Sequence, residues 1–231
     1  MPDIKGTTKL IDFSQEKLLA KLIEKIKDDP QSKERIEMIK GGICYMLAIE
    51  WIRKGHEIIS PKNVEMIFKQ PTTDAEYYYF LQVAQNFIQY YKTFIASTKS
   101  SVSSEDSELR ILWDSPKEIA EYFVFVCSSE KLTAKCSCQI LSHTTFSNYI
   151  TNDKNNMWLL RFNLMRISDN RFLGGHATAI IREGGETFFF DPNYGVYHAK
   201  DLPAFFRDLT AIYSSAQVRA CGFTLISIGE T

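Results

Sequence analysis

The chain has 231 residues, 45% hydrophobic and 24% charged, enough to bury a sizeable core as one large domain or two lobes. A formal net charge of −1 removes the electrostatic case for nucleic acid or an anionic membrane as a partner. Five cysteines, an odd count without disulfide-framework spacing, favour free thiols in a reducing compartment.

Met1-Pro2-Asp3-Ile4-Lys5-Gly6-Thr7 has neither the apolar run of a signal peptide nor a glycine at position 2 for myristoylation. No cleavable leader is therefore expected. No window reaches the roughly 18 apolar residues of a membrane span, and Ser227-Ile228-Gly229-Glu230-Thr231 is not a prenylation box.

The first part reads helical. Asp12 or Ser14 can cap a helix through about Lys27, with Leu18, Leu19, Leu22, Ile23 and Ile26 on one stripe and Pro30 beyond its end. Lys17, Lys21, Lys25 and Lys27 alternate there with acids and read as a solvated face. After Gly41-Gly42 a second helix is expected over Ile43 to Lys54, stopped by Gly55, and a short third one from Pro61. Thr73 to Ser97 is the longest, with Tyr77, Phe80, Leu81, Ala84, Phe87, Ile88 and Tyr91 recurring at helical spacing as core.

Ser97 to Glu108 is serine-rich and acidic, a loop and the expected seam between lobes. Ser115-Pro116 opens another helix that carries Ile119, Tyr122, Phe123 and Val126. From about Ala134 the period changes towards two. Met157 to Ile167, Ala177 to Arg182, Thr187 to Phe190 and Val218 to Ile228 read as strands, with a helix over about Ala199 to Ser214. Helices first and a mostly antiparallel sheet afterwards make an α+β arrangement, a helical part over about 1–130 and a sheet part over about 131–231.

Two distant segments carry the chemistry. Cys44 follows Gly41-Gly42-Ile43 into the first turn of a helix, where unpaired N–H groups and the helix dipole favour an anion. The glycines let a substrate carbonyl approach the backbone closely. His176 lies between Gly174-Gly175 and the alternating stretch Ala177-Thr178-Ala179-Ile180-Ile181, a strand position that fixes an imidazole suited to general-base work. Asp191 ends the apolar stretch Phe188-Phe189-Phe190, and Pro192 holds it extended. On neighbouring antiparallel strands the start of one lies beside the end of the next, which brings His176 and Asp191 within reach. Cysteine, histidine and carboxylate are the parts of a thiol protease. Taken singly, each has a structural alternative: a small buried thiol, a satisfied core histidine, a turn aspartate.

The remaining candidates are weaker. Cys136-Ser137-Cys138 with His143 lacks the paired spacing of a structural zinc site, so no metal is expected. Cys127, on a helix, and Cys221, in a strand, read as core. His56 reads as exposed after a helix-ending glycine, and His198 is the rival base.

At Gly42-Ile43-Cys44 with Trp51, at Gly175-His176-Ala177 and at Phe189-Phe190-Asp191-Pro192-Asn193-Tyr194-Gly195, the chain resembles the YopT/AvrPphB family of papain-like cysteine proteases, effectors that bacteria inject into host cells. The resemblance implies one papain-like domain over 1–231 with the active-site cleft between helical and sheet lobes, and no cofactor. It implies Cys44 as nucleophile, His176 as general base and Asp191 as orienting acid. It further implies a monomer delivered by a bacterial secretion system to the host cytoplasm, where its partner is a host protein substrate.

One departure stands out. Papain-like enzymes usually carry an Asn or Gln a few residues before the nucleophile as an oxyanion donor. Arg35-Ile36-Glu37-Met38-Ile39-Lys40 contains neither, and Gln31 is distant, which leaves the Cys44 backbone N–H with another donor such as Lys40. A deamidase, transglutaminase or acyltransferase using the same three residues, and a papain-like module that only binds, are the alternatives.

Overall fold

Strands with apolar residues on both faces need cover on both sides, and here helices supply it. The computed structural model describes residues 4, 6–29, 32–40, 43–58, 67–98 and 131–231. In chain order come β1 (Thr7–Asp12), α1 (Gln15–Ile26), α2 (Ser32–Lys40), α3 (Cys44–Ile58) and α4 (Asp74–Thr98). Then follow β2 (Leu132–Gln139), α5 (His143–Asn152), β3 (Met157–Arg166), β4 (Phe172–Glu183), β5 (Glu186–Asp191), β6 (Gly195–Ala199), α6 (Leu202–Ile212) and β7 (Val218–Glu230). Among the described residues the strands form one seven-stranded sheet ordered β1-β6-β5-β4-β3-β7-β2, with every neighbouring pair antiparallel.

Alternation along the central strands divides the core in two. Met157 and Leu159 of β3, Ala177 and Ala179 of β4, and Phe188 and Phe190 of β5 face the N-terminal helices. Trp158, Leu160 and Phe162, with Ile180 and Phe189, face Phe146 and Ile150 of α5 and Phe205, Phe206 and Leu209 of α6. The architecture is the expected α+β one, a helical N-terminal half packed on a mostly antiparallel sheet. The second helical layer, α5 and α6 on the far face, was not anticipated.

Helix α3 is the bridge between the halves. Leu47, Ala48, Trp51 and Ile52 recur at helical spacing and are wholly buried, and Trp51 stacks on Phe190 with ring centroids 5.6 Å apart. Burying each such aromatic stabilises the packing by about 2–3 kcal/mol. The expected stop at Gly55 is corrected: α3 runs on to Ile58. A Cβ at Gly55 would lie 2.2 Å from Ile181 Cδ1, so this glycine lets helix and sheet approach rather than ending the helix. His56 accordingly sits in the last turn of α3, half-buried, 3.7 Å from Glu230, rather than on an exposed tail.

Ser14, not Asp12, caps α1, its hydroxyl accepting from Lys17 N–H. Strand β1 was not expected, since it is short and its residues are mostly half-exposed. It pairs with β6, and the Gln15 N–H then donates to the Pro192 carbonyl at 2.7 Å. The start of α1 is thereby pinned to the turn that follows Asp191. That turn is a hairpin, with Tyr194 N–H donating to the Asp191 carbonyl, and the chain returns at once as β6. Strand β4 begins at Phe172, so His176 lies inside a strand rather than at its opening. Helix α6 begins at Leu202, capped by Asp201. The sequence reading also missed β2, α2 and α5: α2 is mostly polar, and α5 interrupts a stretch whose period had already turned towards two. The expectations for a helix from Pro61, for the loop over 99–108 and for the helix at Ser115-Pro116 with Cys127 fall outside the described residues. Among the described residues no helix is long and apolar enough to cross a membrane.

Candidate active site

Cys44 is the first residue of α3, and the Ile43 carbonyl before it accepts the first helical hydrogen bond, from Leu47 N–H. The cysteine is buried, 7% exposed. Its position at the helix N-terminus sets the thiol against unpaired N–H groups and the positive end of the helix dipole.

His176 pairs with Phe162 across β3 and β4, and its ring packs edge-on against the Phe162 ring at 5.4 Å. Its Nε2 lies 3.0 Å from Asp191 Oδ1. Asp191 is fully buried where β5 ends. Its Oδ1 accepts from the Asn193 backbone N–H at 2.9 Å, within the turn that Pro192 starts. His176 and Asp191 are thus in direct contact, and Cys44 is buried at the head of α3.

Burial disfavours the imidazolium, but the Asp191 charge, its hydrogen bond and the Cys44 thiol outweigh this and lift the His176 pKa from 6.5 to about 10. Such a raised value contributes stability that is complete below about pH 6.5 and drains as pH rises through about 10. The melting temperature is thus expected to fall between pH 7 and pH 10. The fall should be clearly smaller in His176→Ala, which two thermal denaturation series measure.

Three residues that the sequence reading did not assign complete the site. The Tyr213 hydroxyl, just past the end of α6, lies 2.8 Å from His176 Nε2, 2.9 Å from Asp191 Oδ1 and 2.8 Å from Asp191 Oδ2. Asn193 Nδ2 donates to that hydroxyl at 2.9 Å. Gln15 Nε2 donates to Asn193 Oδ1, while Gln15 Oε1 accepts from the Ile43 N–H at 3.3 Å. Asn193 was visible within the Asp-Pro-Asn-Tyr-Gly motif. Tyr213 and Gln15 carry no local signal, because each reaches the site from a separate element. An amide side chain thus reaches the residue before the cysteine from the start of α1, through its carbonyl oxygen. Gln31 and the side chain of Lys40 lie outside the described residues.

The rival base His198 is elsewhere engaged: its Nε2 bonds Glu186 and its ring stacks on Phe188 at 5.3 Å. Among the described residues no three histidine, cysteine or acidic side chains are grouped to hold a metal ion. Cys136 is exposed, while Cys138 and Cys221 are partly exposed free thiols.

The peptidase C58 family, described as Yersinia/Haemophilus virulence surface antigen, matches residues 140–220, a span that holds His176, Asp191 and Tyr213 but not Cys44. This match supports a protease-like function. No curated protein matches the chain. Among solved structures, the Pseudomonas avirulence protein AvrPphB aligns at 16% identity and TM-score 0.47, over 81% of this chain and 93% of that one. PatoxP, a cysteine protease-like domain of the Photorhabdus asymbiotica toxin PaTox, aligns at 14% identity and TM-score 0.24, over 95% of this chain and 90% of that one.

Proposed function

We propose that the chain is a cysteine endopeptidase, one papain-like unit in which Cys44 attacks, His176 carries the proton and Asp191 orients the ring. The observation that carries this is the buried imidazole of His176 bonded to the buried Asp191 carboxylate at 3.0 Å, together with a buried cysteine that opens α3. His176 takes the thiol proton, and the sulfur adds to a peptide carbonyl, forming the C–S bond and an oxyanion. The Cys44 backbone N–H at the head of α3 is the nearest helix-end donor for that oxyanion. Collapse breaks the C–N bond, and the leaving amine takes the proton back from His176. Water then adds to the thioester, giving its proton to His176, and the acid product leaves as the thiol is restored.

The substrate in this reading is a protein of a host cell, and the chain is an effector carried there by a bacterial secretion system. The virulence description of the matched family supports this reading. The test is to incubate host-cell extract with the chain and with His176→Ala, and to label newly formed protein N-termini. New termini made by the unaltered chain alone are expected. Mass changes on intact targets without new termini would replace hydrolysis with transfer to an amine or deamidation, and no difference between the two extracts would leave only binding.

A further inference from the structure

We infer that Tyr213 is a positioning residue that sets the His176 tautomer, as the last link of a directed hydrogen-bond chain running from the backbone N–H beside the nucleophile through Gln15 and Asn193. The inference rests on the acyl-transfer reading above. It goes beyond that reading by assigning three residues outside the Cys44, His176, Asp191 set.

The direction of each bond follows from what each group is able to do. The Ile43 backbone N–H is only a donor, so the Gln15 atom that meets it is the carbonyl Oε1. The other end of that amide, Nε2, is only a donor, so the Asn193 atom that it meets is Oδ1. That leaves Asn193 Nδ2 to donate to the Tyr213 hydroxyl. A hydroxyl has one proton and two lone pairs. One lone pair is taken by Asn193. The proton goes to Asp191, which as a carboxylate is only an acceptor and lies 2.8 and 2.9 Å away. His176 Nε2, at 2.8 Å, is therefore left with the second lone pair and must donate its N–H there, shared with Asp191 Oδ1 at 3.0 Å.

With Nε2 protonated, Nδ1 is the nitrogen left to take the Cys44 proton in the proposed reaction. The polarity of the whole chain is thus dictated by a backbone amide that cannot reverse. Asp191 alone holds Nε2 through one oxygen, and the hydroxyl adds a second acceptor while itself donating to the carboxylate. Burial first, and the Asp191 charge second, push the Tyr213 phenol far above its ordinary range, so it stays a hydroxyl at any working pH. The Tyr213 ring also packs at a tilt against the imidazole, with centroids 4.6 Å apart, which limits movement of the histidine. Tyr194, at 5.9 Å from the Tyr213 ring, and Tyr197, which feels the Asp191 charge, are further titratable groups on this side.

The test uses the full chain with Tyr213→Phe, which keeps the ring and deletes the hydroxyl. Two readouts are needed: ring 15N spectra of His176, and the rate at which iodoacetamide alkylates the Cys44-bearing peptide across pH, resolved by mass spectrometry from those of Cys136, Cys138 and Cys221. The unaltered chain is expected to show a protonated Nε2 and rapid Cys44 alkylation near pH 6. In Tyr213→Phe the ring, once neutral above about pH 10, becomes a tautomer mixture, and alkylation near pH 6 slows by about 10- to 100-fold, as for loss of one hydrogen bond to a charged group. Gln15→Ala, which removes the source of direction but leaves the hydroxyl, is expected to move the ring spectrum the same way by less; it decides the matter if Tyr213→Phe does not fold. Unchanged ring spectra in the variants overturn the inference while the protease reading stands, provided His176→Ala and Asp191→Ala still lose Cys44 reactivity. Cys44 reactivity that His176→Ala leaves untouched removes the reading and this inference together.

Discussion

Replacing Cys44 by alanine is expected to remove turnover, by about 10⁵- to 10⁶-fold when judged against loss of the nucleophile in other hydrolases of this logic. Cys44→Ser should fare little better. The serine hydroxyl is far harder to ionise than a thiol. The fold should tolerate either change. Cys44 is a small side chain at the head of α3, and below it Trp51 and Leu47 keep their contacts with the sheet. The stability cost is thus expected within about 1–2 kcal/mol, near the smallest core truncations. The measurement pairs the labelling of new N-termini with a thermal melt. A folded Cys44→Ala variant that still produces new termini would place the nucleophile elsewhere.

Gly195→Ala is expected to be the most damaging single-methyl change to the fold. The backbone at Gly195 has φ +113°, in the region that favours glycine, and a Cβ there would sit 2.0 Å from the Ile11 carbonyl oxygen and 2.9 Å from Phe13 N. Neither neighbour is a flexible side-chain tip, so relief requires β1 to leave β6, breaking the pairs Ile11 with Val196 and Asp12 with Gly195. Strain at such a position and the lost pairing together cost about 3 kcal/mol or more. For a chain of this size that lowers the melting temperature by about 6–12 °C. Gly185→Ala is the control: its φ is +85°, yet nothing lies within 4 Å of the added methyl. It should lose only the conformational share, about 1–2 kcal/mol. Equal losses in the two variants would show that the close approach of β1 is not what Gly195 serves. Gly195 also pairs with Asp191, and the Pro192 carbonyl holds Gln15 N–H, so partial loss of activity should accompany the loss of stability in Gly195→Ala.

The strong segments of the fold were legible because their periodicity reports one buried face each. The stripe of Leu18, Leu22 and Ile26 and the apolar runs of β3 and β5 follow from the apolar pattern alone. Edge strands were not legible. β1 and β2 bury few side chains, and what holds them is backbone pairing to β6 and β7, which leaves no imprint on side-chain pattern. Gly55 misled for a related reason. Its sequence context looks like a helix stop, while its use is to admit Ile181, a residue more than a hundred positions away.

For the site, local chemistry marked Cys44 at a helix start, His176 in a glycine-flanked strand and Asp191 before a proline, because each needs a particular backbone setting that short motifs record. The partners that give those groups direction are of another kind. Gln15 and Tyr213 occupy ordinary helix-end positions, and they matter only because β1 pins α1 to the Asp191 turn and α6 ends against β4. Amino-acid order by itself determined which side chains were chemically capable and which elements would carry them. Three-dimensional packing decided how those side chains orient one another, since hydrogen-bond direction depends on distances between elements that no nearby residue encodes.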